Sequence, residues 1–85
     1  MMSLEDAADQ PLTKDQFAGF LDRLADSLVE DPEIWENASL DQFLRAWSTW
    51  VHDMDGYFTN RGEAVPEQPT WQVLAKMLLA ARVYE

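Results

Sequence analysis

Apolar residues recur along this chain in three helical runs, separated by breaks that contain proline or glycine. The densest run is the last, T-W-Q-V-L-A-K-M-L-L-A-A-R-V-Y-E, from Thr70 to Glu85. Between Trp71 and Tyr84 only Gln72, Lys76 and Arg82 are strongly polar. Leu74, Met77, Leu78 and Ala81 fall at helical spacing, and Trp71, Ala75, Leu79 and Val83 widen the apolar surface beyond one stripe. A helix apolar around most of its circumference is covered from more than one side. This stretch is therefore expected to be the central helix of a small bundle.

The first run opens at Leu12-Thr13-Lys14-Asp15-Gln16-Phe17, where Thr13 and Gln16 have the spacing of a capping box and Leu12 and Phe17 that of a hydrophobic staple. Phe17, Phe20, Leu21, Leu24 and Leu28 continue the stripe, and Asp31-Pro32 stops it, because proline disfavours helical geometry in the preceding residue. The spacing predicts a helix over 14–30. Pro32 to Asn37 has room for one further turn, with Ile34 and Trp35 folded back on the core. Ser39 and Gln42 repeat the capping chemistry, and Leu40, Phe43, Leu44, Trp47, Trp50, Val51 and Met54 predict a second helix over 40–55. Gly56 is expected to supply its left-handed cap. The connection 56–69 is longer than helix pairs usually need, and Tyr57, Phe58 and Val65 mark it as ordered. Asn60-Arg61-Gly62 reads as a turn, and Thr70 caps the final helix.

The expected fold is all-α: a three-helix bundle with the third helix between the first two and a long ordered loop before it. Residues 1–11 are expected to be a flexible acidic leader, and residues 12–85 a single helical domain. Eighty-five residues suffice for one modest core, and 47% apolar content argues against disorder. There is no cysteine, which removes disulfides and thiolate metal sites and leaves packing to hold the fold. The N-terminus lacks the apolar segment of a secretory signal, and no run approaches the ~20 apolar residues of a membrane helix. A cytoplasmic location is the corresponding expectation.

Charge changes the picture most. The net charge is −10, and it sits in the first half: residues 1–41 hold eleven acids against Lys14 and Arg23, whereas residues 42–85 are nearly balanced. Direct binding to nucleic acid or an anionic membrane is disfavoured, since both need positive charge. A basic partner is favoured, though excess acid also serves solubility. On the first helix Asp15, Asp22, Asp26 and Glu30 stand seven, four and four residues apart, and Glu30, Asp31, Glu33 and Glu36 form an acidic corner beyond it. Like charges in such a row cost an isolated helix a few tenths of a kcal/mol per pair.

The remaining constellations carry little chemistry. Asp53-Met54-Asp55-Gly56 fails as a calcium loop: counted from Asp53, position six is Phe58 and position twelve Ala64, where glycine and glutamate are needed. No metal or cofactor is expected. His52, the single histidine, lies near Ser48, Thr49, Asp53 and Asp55, but no nucleophile elbow or oxyanion motif accompanies it. No catalytic residue is assigned and the protein is expected not to be an enzyme. Trp35, Trp47, Trp50 and Trp71 are expected mainly in the core, with Trp47 or Trp50 free to reach the surface as an anchor.

Several strings together resemble a family of small bacterial domains of unknown function. They are Trp35-Glu36-Asn37, Leu40-x-x-Phe43-Leu44, Trp50-x-x-Asp53-Met54-Asp55-Gly56-Tyr57, Val65-Pro66-Glu67-Gln68-Pro69-x-Trp71 and Leu78-Leu79-Ala80-Ala81-Arg82-x-Tyr84-Glu85. The likeness covers roughly residues 15–85 and implies a bacterial, cytoplasmic, helical domain with no activity to carry over. Analogy with other small acidic bacterial proteins extends this to an inhibitory role of antitoxin or immunity type. Three readings stand. One is a non-enzymatic interaction module using Asp22, Asp26, Glu30, Asp31, Glu33 and Glu36 against a basic protein. Another is a homodimer formed through Leu79, Val83 and Tyr84. A third is a small-molecule binder or enzyme at the 56–69 loop using His52, Tyr57 and Arg61.

Overall fold

The computed structural model describes residues 3–84. It is all-α, with no strand among the described residues. Four helices follow one another: α1 (Leu4–Ala8), α2 (Lys14–Glu30), α3 (Leu40–Asn60) and α4 (Trp71–Ala81), with a 3-10 turn at Pro32–Ile34.

Both capping boxes form. Thr13 Oγ1 accepts from the Gln16 N–H at 3.1 Å and the Gln16 side chain accepts from the Thr13 N–H at 2.9 Å. Ser39 and Gln42 repeat the pattern at the start of α3, and Thr70 caps α4 by accepting from the Val73 N–H. Sequence-local chemistry thus sets three helix starts.

α4 is the hub. It packs against α1, α2 and α3, whereas no Cα of α2 lies within 8 Å of a Cα of α3. One side of α4 contributes Ala75 and Leu78 to a cluster with Ala7, Ala8, Phe20 and Leu24, edged by Leu12, Phe17, Trp35 and Leu79. Its other side contributes Met77 to a cluster with Trp50, Met54 and Phe58, edged by Val73, Leu74 and Tyr84. Trp47 touches both clusters and forms the seam. The broad apolar surface of α4 is accounted for by this two-sided cover.

Three features depart from the sequence-based expectation. Residues 4–8, placed in a flexible leader, form α1: Ser3 Oγ accepts from the Asp6 N–H, and Ala7 and Ala8 are buried. α3 runs five residues past 55, to Asn60, so that the connection to α4 covers only 61–70. Gly56 sits inside α3, and the left-handed glycine is Gly62, at φ +71°. The reason is burial: Phe58 stands four residues beyond Met54 on the same stripe and is 7% exposed. Packing that ring against α4 outweighs the propensity cost of a mid-helix glycine, about 1 kcal/mol. The described chain is thus a four-helix arrangement with a shorter connection rather than three helices and a long loop.

Candidate functional site

The six carboxylates expected to meet a partner are all exposed. Asp22, Asp26 and Glu30 stand on α2, Asp31 caps its end, Glu33 lies in the 3-10 turn, and Glu36 follows. None of the six side chains makes a hydrogen bond or ion pair among the described residues. Elsewhere Glu5, Asp9, Asp15, Asp41 and Glu63 are in salt bridges and Asp53 accepts from Tyr84, while Asp6, Asp55 and Glu67 are isolated exposed carboxylates. Asp26, Glu30 and Asp31 share one shallow depression with Leu4, Ser27 and the half-buried Arg23. Asp22, Glu33 and Glu36 lie outside it. Among the described residues no group of three or more His, Asp or Glu side chains is arranged to hold a metal ion, which fits carboxylates spread along a face.

Behind this face the corner is anchored firmly. The Trp35 indole Nε1 donates to Ser27 Oγ at 2.9 Å, and that hydroxyl donates to the Leu24 carbonyl at 2.7 Å. Asn37 reaches much further. Its side-chain Nδ2 donates to the carbonyls of Ala81 (3.0 Å) and Tyr84 (2.8 Å), and its backbone N–H donates to Arg82 O at 2.8 Å. The Ala81 and Arg82 carbonyls are ones that the end of α4 leaves without intrahelical partners, and that of Tyr84 lies just beyond it. One asparagine therefore ties the corner after α2 to the end of the hub. Arg82, 7% exposed, lies over the Trp35 ring at 5.8 Å and pairs with Glu5 at 3.4 Å. Sequence reasoning missed Asn37 and Arg82, since the side-chain partners of Asn37 lie 44 and 47 residues away and the ion-pair partner of Arg82 lies 77 away. The only local signal was Arg82 in the final turn of an otherwise apolar helix.

The other candidate groups scatter. His52 is exposed on α3 and does not line the depression formed by Trp50, Asp53, Met54, Gly56, Tyr57, Asn60 and Tyr84. Tyr57 is clamped between Trp50 (5.5 Å) and Phe58 (5.1 Å), with the Arg61 guanidinium 5.3 Å from its ring. The structure thus places Tyr57 and Arg61 together but gives His52 no share in their site. Of the residues expected at a dimer surface, Leu79 packs on the first cluster and Val83 is exposed. The Tyr84 hydroxyl donates to Asp53 Oδ2 at 2.6 Å, and that hydrogen bond, more than partial burial, holds the phenol above its ordinary 10.0. Neither Trp47 nor Trp50 is an exposed anchor. The exposed tryptophan is Trp71, which rests on Phe17 at 5.3 Å beside a groove of about 700 Å³ lined by Pro11, Leu12, Pro69, Gln72 and Leu74.

The class these observations define is a small, acidic, all-α domain built around a single hub helix, and no helix of the described residues is long and apolar enough to cross a membrane. A family model, DUF7660, a family of unknown function, matches residues 13–85. The chain belongs to that family. No curated protein and no solved structure matches it. The strings that carried the resemblance are mostly structural: Trp35 and Asn37 anchor the corner, Met54 is core, and Asp53 and Tyr84 hold one another.

Proposed function

We propose that this domain is a non-enzymatic protein–protein interaction module, and that its acidic face, Asp22, Asp26, Glu30, Asp31, Glu33 and Glu36, covers a basic surface of a partner protein. The observation that carries this reading is the contrast in pairing. Five carboxylates elsewhere are in salt bridges with the chain's own bases, while these six, like the scattered Asp6, Asp55 and Glu67, have no ion pair among the described residues, and only the six gather on α2 and the anchored corner after it. An unpaired row raises the local negative potential, steers a cationic partner and is not first stripped of internal salt bridges on binding. An antagonist that masks a nucleic-acid-binding surface, in the manner of an antitoxin or immunity protein, is the specific form favoured, acting in a bacterial cytoplasm.

The test is a capture experiment. Immobilised protein is exposed to host lysate, washed at low and at high salt, and compared with a variant carrying Asp26→Asn, Glu30→Gln and Asp31→Asn. A basic protein retained at low salt, depleted at high salt and lost by the variant is the expected result. Equal retention by variant and parent overturns the assignment of the face.

A further inference from the structure

Two sides of α4 are covered, and a strip between them is not. Lys76, Leu79 and Ala80 share one line of the helix, and Val83 continues it just past the helix end. α1 borders this strip on one side and α3 on the other, and no Cα of α1 lies within 8 Å of a Cα of α3. The gap is an open trough of about 400 Å³, within the roughly 300–1,000 Å³ of small-molecule sites. Glu5 and Asp9 edge it from α1; Trp50 and Tyr57, their ring centroids 5.5 Å apart, edge it from α3. The polar groups along it have capacity to spare. The Lys76 side chain is only 21% exposed, and its ammonium carries three donors. Among the described residues it makes no hydrogen bond, because the carboxylate oxygen it pairs with, Asp9 Oδ1, stands at 3.6 Å. Arg82, at the other end, reaches Glu5 at 3.4 Å. Both carboxylates are largely exposed, and ion pairs of that kind contribute little. Either can turn to a ligand without weakening the fold.

We propose that this trough binds a free α-amino acid with an apolar side chain, gripped through the ligand's own two charges. The ligand carboxylate accepts from Lys76, its ammonium donates to Asp9, and its side chain lies on Leu79, Ala80 and Val83 against Trp50. Charge decides among occupants. The trough presents cations and carboxylates in matched pairs, Lys76 with Asp9 and Arg82 with Glu5. A plain anion at Lys76 takes the partner of Asp9 and is opposed by the net charge of −10. A plain cation at Asp9 leaves the more buried Lys76 uncompensated. A zwitterion satisfies both members of the pair and brings no net charge. The apolar strip beside that pair then selects an apolar side chain, whose burial supplies the non-directional part of the affinity. None of the six acids on the proposed partner face lines the trough, so the two surfaces stand or fall separately.

The test is a titration of the isotope-labelled full chain followed by nuclear magnetic resonance, with L-phenylalanine and L-leucine as probes. The amide signals of Lys76, Leu79 and Ala80 are expected to shift and to saturate at millimolar ligand. Phenylpropanoate, which lacks the ammonium, and phenylethylamine, which lacks the carboxylate, are each expected to bind about tenfold more weakly than phenylalanine or worse. Lys76→Gln and Asp9→Asn should each weaken phenylalanine binding by a similar factor while circular dichroism stays that of the parent. If Lys76→Gln does not fold, the exposed Asp9→Asn decides. No saturable shift with either amino acid overturns the proposal. Equal binding of phenylpropanoate or of phenylethylamine overturns the zwitterion as the occupant, and undiminished binding by a folded Asp9→Asn variant overturns the trough as the site.

Discussion

The two sides of α4 solve the same problem differently. On one side, α1, α2 and the corner at Trp35–Asn37 converge from three separate parts of the chain, with small residues in the closest contacts and polar ties at the edge. On the other, a single 21-residue helix, α3, supplies Trp50, Met54 and Phe58 in one stripe. The many-piece side has its pieces fixed relative to one another by hydrogen bonds. The one-piece side relies on large side chains and leaves Leu40, Leu44 and Val51 of α3 exposed. A hub apolar on both sides permits either construction; what differs is how much each depends on specific polar ties.

Phe20→Ala should break this comparison most violently. Phe20 is 2% exposed on the many-piece side, and truncation of such a ring costs about 3–5 kcal/mol. Set against a total of about 4–13 kcal/mol for a domain of this length, that removes between roughly a quarter and all of the stability. Met54→Ala on the one-piece side is expected to cost about 2–5 kcal/mol, nearer the low end because one helix can settle into the gap. Urea denaturation measures both. Since both clusters share α4, fluorescence and circular dichroism should report the same midpoint in each variant, and two separated transitions would show that the sides fold independently.

Next in size is Asn37→Ala. It leaves two carbonyls at the end of α4 without their side-chain donor, a loss of about 1–3 kcal/mol. Hydrogen exchange should quicken in the last turn of α4 more than in α3. Uniform acceleration across both helices would mean that the tie is not local to the many-piece side.

A smaller, pH-dependent effect belongs to the one-piece side. The Tyr84 phenol is raised above 10.0 by its bond to Asp53, so the folded state holds that proton more tightly than the unfolded chain. Its contribution is therefore fully present below pH 10 and is lost as pH rises through the raised value. Thermal melts across this alkaline range should fall more steeply for the parent than for Tyr84→Phe.

The smallest change is expected from the triple neutralisation Asp26→Asn, Glu30→Gln, Asp31→Asn. With no internal partner lost, stability should move by less than about 0.5 kcal/mol, and in the stabilising direction, because like charges along the helix are relieved. A loss of several kcal/mol would show that these acids support the corner instead of facing a partner.

Much of the framework was legible because its causes are local. Thr13 with Gln16 and Ser39 with Gln42 announce helix starts within four residues, and the apolar surplus of α4 announces a hub. The misjudged end of α3 shows where local signals conflict. Gly56 offers a cap, Phe58 offers buried area against α4, and the second is visible only once α4 is in place. α1 was illegible because five residues carry too little periodicity to register. The candidate site divides the same way: exposed acids follow from charge and spacing, whereas Asn37 and Arg82 acquire their roles from contacts across the whole fold.

The position of the hub in the chain has a consequence for biosynthesis. Of the four helices α4 is the last to be translated, yet both clusters require it, and the backbones of α2 and α3 do not touch without it. The first three helices thus leave the ribosome with only the contact of α1 and α2 and the corner at Trp35 to hold them, and their faces toward α4 stay open until the fourth emerges. Acidic residues dense in the first half of the chain then oppose clumping of this waiting segment by mutual repulsion, and a premature stop before Trp71 is expected to release a chain that completes neither cluster.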